Sequence, residues 1–203
     1  MSAWMALAAV VSALGPRPAS LTGGDPAAYA GWLHARVQAA DRAFGAEACR
    51  TAQIRSISAR ALGSGEMAPV HVLRGSGTPA YLERIRLTGC GRETIHNVQV
   101  VRLRRGGWDG IGLLPGEPRS TPRQQNEAMQ QMATVALNTG PALPCSSSQA
   151  LQSMVHGEAR VIASEGAGWT ERWPLRLCGV DRSVDARFGA PGGAARITPA
   201  SSR

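Results

Sequence analysis

The chain has 203 residues, 43% of them hydrophobic, which suits one domain or two small ones with packed cores and excludes wholesale disorder. Its 22 basic residues are all arginine and outnumber 14 acidic ones, giving a formal net charge of +8 at pH 7. Arginine without lysine, with abundant Ala and Gly, reads as the imprint of a GC-rich bacterial genome, so the charge speaks to solubility and to attraction toward anionic partners, not to a specific site.

The first feature in chain order is an apolar run of 11 residues, Trp4 to Leu14, closed by Gly-Pro-Arg-Pro. It suits the core of a signal peptide and is too short to span a bilayer. Ala13 and Gly15 offer small residues for cleavage, although no basic residue precedes the run. This predicts export, with residues 1–20 as the leader. No cysteine follows at a lipid-attachment position, so the mature chain is not expected to span or anchor to a membrane.

Two helix starts are legible. Asp25-Pro26 supplies an N-cap and a proline at the first helical position, and Tyr29, Trp32, Leu33, Val37, Ala40 and Phe44 follow as one apolar stripe. Thr121-Pro122 repeats the signal, with Gln124 completing a capping box and Met129, Met132, Ala133 and Ala136 as the stripe before Gly140-Pro141. Strand-like stretches fall at 53–62, 69–73, 98–103, 158–163 and 184–188.

Tyr81 to Gly91 reads YLERIRLTGCG, and Trp169 to Gly179 reads WTERWPLRLCG. The two align without a gap, Asp25 to Cys49 and Thr121 to Cys145 are each 24 residues apart, and each half runs on to a Gly-Gly pair, Gly106-Gly107 and Gly192-Gly193. Such internal similarity predicts a duplicated unit. The expected fold is α+β: one helix packed on a small antiparallel sheet per unit, at 21–118 and 119–203. Whether the halves share one sheet stays open.

Four cysteines in an exported chain read as two disulfides. Of three possible connectivities the repeat favours Cys49–Cys90 and Cys145–Cys178, one per unit. There is no Cys-x-x-Cys, and His34, His71, His96 and His156 fall in no ligand spacing, so neither a metal nor another cofactor is expected. Hydrolase and phosphate-loop motifs are missing too.

Strand parity places Glu83 with Tyr81, Ile85 and Leu87, and Glu171 with Trp169, Trp173, Leu175 and Leu177, both on the apolar side. A carboxylate there is either a general acid or ligand group in a cleft, or a structural group held by an arginine or backbone amides. The same parity puts Cys90 and Cys178 on the arginine side, which predicts partial cover of that face or a bulge at the glycines. Arg102, Arg104 and Trp108 form the densest basic segment; it reads either as an anion grip with a stacking surface or as a charged, protected hairpin edge. Trp169 and Trp173 complete the candidate binding set.

Trp169-x-Glu171-x-Trp173, followed by Cys178-Gly179 and Gly192-Gly193, resembles a segment of uncharacterised exported, periplasmic proteins of proteobacteria. Leu113-Leu114-Pro115-Gly116 is similar as well, so the likeness covers mainly 108–198; Ile85 departs from it in the first copy. The resemblance implies location and carries no activity. The expectation is a non-enzymatic exported binding or envelope-associated protein, its partner another envelope protein or an anionic envelope component, without specific nucleic-acid binding. A secreted inhibitor is the alternative and would expose an aromatic patch. A small hydrolase using Glu83 or Glu171 is third and would set a glutamate in a pocket beside a second polar group.

Overall fold

The computed structural model describes residues 17–43, 49, 51–69, 79–189 and 193–200. The apolar run Trp4–Leu14, Phe44, His71, Gly192 and most of the strand expected at 69–73 lie outside the described residues. The chain divides into two compact units, Met1–Leu113 and Leu114–Arg203. Both are mixed α+β with largely antiparallel sheets.

In the first unit Pro18 is extended and leads into a single turn, α1 (Ala19–Thr22), which ends at left-handed Gly23. The Asp25 side chain then accepts from the Ala28 N–H and caps α2 (Pro26–Ala43). Four strands follow, β1 (Gln53–Ala61), β2 (Tyr81–Gly89), β3 (Arg92–Arg102) and β4 (Trp108–Gly112), in the order β1-β2-β3-β4, each antiparallel to the next. Alternation along β2 turns Tyr81, Glu83, Ile85 and Leu87 to the helix. There Tyr29, Leu33 and Val37, one turn apart on α2, bury against Ile54, Ile85, Leu87, Val98 and Val100.

In the second unit β5 (Gly116–Glu117) is followed by α3 (Pro122–Asn138), α4 (Ser147–Gln152), β6 (Val155–His156), β7 (Ala159–Glu165), β8 (Gly168–Leu177), β9 (Val180–Phe188) and β10 (Arg196–Pro199). The sheet order is β10-β9-β8-β7-β5, with β6 also paired to β8. One pairing departs from the antiparallel expectation: β5 lies parallel to β7 over two residues. Gly116 makes this possible, because a Cβ there would meet the Ala159 carbonyl at 2.5 Å. The α3 capping box forms as the sequence predicts, and Ala128, Met132 and Ala136 bury against Trp173, Leu175, Leu177 and Phe188. Ser146 caps α4 through a second capping box with Gln149.

The disulfides are Cys49–Cys90 and Cys145–Cys178, with Cα separations of 5.9 and 6.4 Å. Each ties the tip of a hairpin to a cysteine that follows a helix in the chain. Cys90-Gly91 and Cys178-Gly179 are the two-residue loops of the β2–β3 and β8–β9 hairpins, and all four residues have positive φ. That is type I′ geometry, whose twist matches the flanking strands. The cysteines are therefore turn residues, so strand parity does not apply to them and neither a bulge nor a covered face is needed. Bulges occur elsewhere, between Ser56 and Ser58 in β1 and between Val161 and Ala163 in β7.

Candidate functional site: two buried carboxylates

Glu83 and Glu171 occupy the centre of the helix-facing side of their sheets, and both are fully buried. Burying a charge is tolerated only with complete pairing. The two units meet that requirement differently.

Glu83 is held by a cation. The Arg17 guanidinium donates to both carboxylate oxygens at 2.8 Å and to the Ser56 hydroxyl at 2.6 Å, while the Tyr29 hydroxyl donates to Oε1 at 2.9 Å. Arg17 itself is nearly buried, its side chain 8% exposed. Burial pushes the Tyr29 hydroxyl well above its ordinary range, and the charge and hydrogen bond of Glu83 add to this, so the phenol remains a donor. Around Arg17, Ser20 shares a hydrogen bond with the Tyr81 hydroxyl, Leu21 is buried, and the Trp108 indole N–H donates to the Leu21 carbonyl. Residues 17–20, which the leader reading assigns to the removed segment, are thus built into the first unit.

Glu171 is held by neutral donors. Its Oε1 accepts from the backbone N–H groups of Arg119 (2.8 Å) and Ser120 (2.6 Å) and from the Trp169 indole (2.8 Å). Its Oε2 accepts from the Ser120 hydroxyl (2.8 Å) and the Trp173 indole (2.9 Å). The period of two explains the W-x-E-x-W spelling: both tryptophans share the glutamate's face, and each indole reaches a different oxygen. Trp169 stacks on Phe188 at 4.9 Å, and the Arg119 guanidinium covers the Trp169 ring at 4.8 Å. Arg119 and Ser120 lead into Thr121, the N-cap of α3, so the carboxylate also fixes the entry of that helix.

The tryptophans are accordingly interior, with Trp169 and Trp173 buried. In the basic segment, Trp108 packs on Tyr29 and Trp32 and is half-buried, Arg102 is half-buried against Gly23, and Arg104 is exposed in the turn that closes β3 on β4. The segment does not place Trp108 as a free stacking surface beside the arginines. A shallow open hollow lies beside Trp169, lined by Ala163, Glu165, Gly168, Thr170 and Arg187. No family model matches the chain, and neither a curated protein nor a solved structure matches it. Among the described residues no group of three or more His, Cys, Asp or Glu could hold a metal ion, and no helix is long and apolar enough to cross a membrane.

One charged cluster in the first unit has no counterpart in the sequence reading. Asp41, in the last turn of α2, accepts from Arg92 at 2.8 Å and lies 3.3 Å from buried His96 and 3.4 Å from the Thr94 hydroxyl. Burial pushes the Asp41 carboxyl up, but the hydrogen bond and charge of Arg92, aided by His96, outweigh it and hold the group below the usual carboxylate range. A depressed folded-state value gives stability that is present above the unfolded carboxylate range, about pH 4, and is lost as pH falls through the folded value. Urea melts at about pH 6 and about pH 3 should therefore show a larger loss for the wild type than for Asp41→Asn. Equal losses would mean that the cluster adds nothing to acid sensitivity.

Proposed function

We propose that the chain is an exported, non-enzymatic binding protein of the cell envelope, built from two sister units of common origin. Export is supported by two disulfides, which persist in oxidising compartments. Common origin is supported by the matched order of helix, cysteine, strand and Cys-Gly hairpin, and by left-handed cysteines at both tips. The observation that carries the non-enzymatic reading is the consumption of both glutamates by their own fold. A general acid must face a substrate, whereas Glu83 and Glu171 are buried and accept hydrogen bonds from internal donors at both oxygens. The inhibitor alternative draws no support from the aromatic residues, because Trp169 and Trp173 are interior.

Strand β7 is the recognition element. Its residues Arg160–Glu165 are exposed, Val161 and Ile162 are among the most exposed large apolar side chains described, and among the described residues that edge of β7 is paired only at Ala159 and Arg160, by β5. A strand with that much free edge accepts an extended segment of a partner protein. Envelope extract passed over immobilised protein should yield a partner, identified by mass spectrometry, whose retention is lost with Val161→Arg/Ile162→Arg and kept with Arg104→Ala. Retention insensitive to the β7 variant, with loss on Arg104→Ala, would favour an anionic component at the basic turn. A hydrolytic turnover abolished in a folded Glu171→Gln protein would overturn the non-enzymatic reading.

A further inference from the structure

We propose that the leader is cut between Ala13 and Leu14, so that the mature chain keeps Arg17 as the permanent counter-ion of Glu83. This inference rests on the export reading and sharpens it, because folding of the first unit limits where the cut can fall. A cut at residue 20 removes the only cation whose hydrogen bonds to Glu83 are described, and with it the Ser20 contact to Tyr81. It also severs Leu21, a fully buried side chain, from the α1 turn in which its N–H bonds the Pro18 carbonyl. A cut anywhere from Arg17 onward leaves a buried carboxylate facing only the Tyr29 hydroxyl among these partners. The bond must therefore precede Arg17.

At the end of the apolar run, where a leader is cut, Ala13 and Gly15 flank Leu14 as small residues with a bond to offer. The Gly15–Pro16 bond is a poor choice: proline has no backbone N–H to offer a peptidase that reads an extended substrate, and its ring restricts the residue before it. Ala13–Leu14 lacks that obstacle and ends the run Val11-Ser12-Ala13, with a small residue at the cut. The step is hydrolysis of one amide by an envelope peptidase with water: Ala13 takes the new carboxylate and Leu14 the new amine. Leu14-Gly15-Pro16 then precedes Arg17, and Pro18 is already extended where the chain enters α1.

The test is expression of the full chain in a Gram-negative host, followed by intact mass and N-terminal sequencing of the periplasmic product. A start at Leu14 is expected. Ala13→Leu should accumulate unprocessed precursor, and Gly15→Leu should be processed as the wild type is. A start at Pro16 or Arg17 would overturn the assigned bond, and a start at Pro18 or later would also overturn the retention of Arg17. A full-length product confined to the cytosol would overturn the export reading and the cut together, and is told from the other failures by its fraction and mass.

Discussion

Glu171→Gln is expected to destabilise the second unit by about 3 kcal/mol, although the substitution leaves the side-chain volume nearly unchanged. The amide removes the negative charge that strengthens five hydrogen bonds, and it places an NH2 where an oxygen stood. Either orientation sets donor against donor. The less costly one puts the NH2 toward Ser120 Oγ and Trp173, because the hydroxyl can turn to accept while the indole N–H is left without an acceptor. In a unit of this size such a loss lowers the melting temperature by roughly 10 °C or more. Trp173 and Trp169 report the change directly through near-ultraviolet circular dichroism and fluorescence.

Two comparisons isolate the cause. Glu127→Gln removes a carboxylate of similar size from the exposed Arg123–Glu127 pair on α3, where the expected cost is under about 1 kcal/mol. Trp173→Phe in the Glu171→Gln background deletes the orphaned donor, so the double variant should be less destabilised than the sum of the single ones. A melting temperature for Glu171→Gln within experimental error of the wild type would show that the five contacts are replaced by water at no cost, and would remove the argument that this carboxylate is structural.

The sequence made the local parts of this arrangement legible. Capping at Asp25 and Thr121, the apolar stripe of α2, and the placement of both glutamates on the apolar face follow from the 3.6 and 2.0 periods alone. The disulfide partners followed from matching the halves, and the two structural options weighed for a buried carboxylate, an arginine or backbone amides, each occur once. What could not be read is set by distant chain. Arg17 and Glu83 are 66 residues apart, and no pattern joins them. Trp108 looked free because parity says which side a residue faces and not what lies over it; Tyr29, Trp32 and the Leu21 carbonyl do. The indole donors to Glu171 were legible in principle, since residues two apart on a strand share a face. The parallel β5–β7 contact is too short to leave a strand-length signal.

The second large effect is expected at Arg17. Arg17→Met retains an unbranched apolar side chain but leaves Glu83 buried with only the Tyr29 hydroxyl of its described donors, at a cost of about 3–5 kcal/mol. Most of that cost is an uncompensated charge and not lost packing. It should therefore be recoverable by removing the charge: Arg17→Met/Glu83→Leu/Tyr29→Phe replaces the ion pair and the Tyr29 hydroxyl by apolar groups and leaves only the partly exposed Ser56 hydroxyl of Arg17's described partners. Exchange of a buried ion pair for packed apolar side chains is commonly neutral or better, so the triple variant should return to within about 1–2 kcal/mol of the wild type while Arg17→Met alone does not. Hydrogen exchange locates the defect, because the amides of Leu21, Thr22 and Gly23 bond to Pro18 and Ala19 within the segment that Arg17 anchors. These should exchange faster in Arg17→Met, with the α3 amides of the other unit unchanged. A single variant as stable as the wild type would mean that Glu83 finds its compensation elsewhere. The N-terminal segment would then be an accessory to the first unit, and the position of the leader cut would lose its physical constraint.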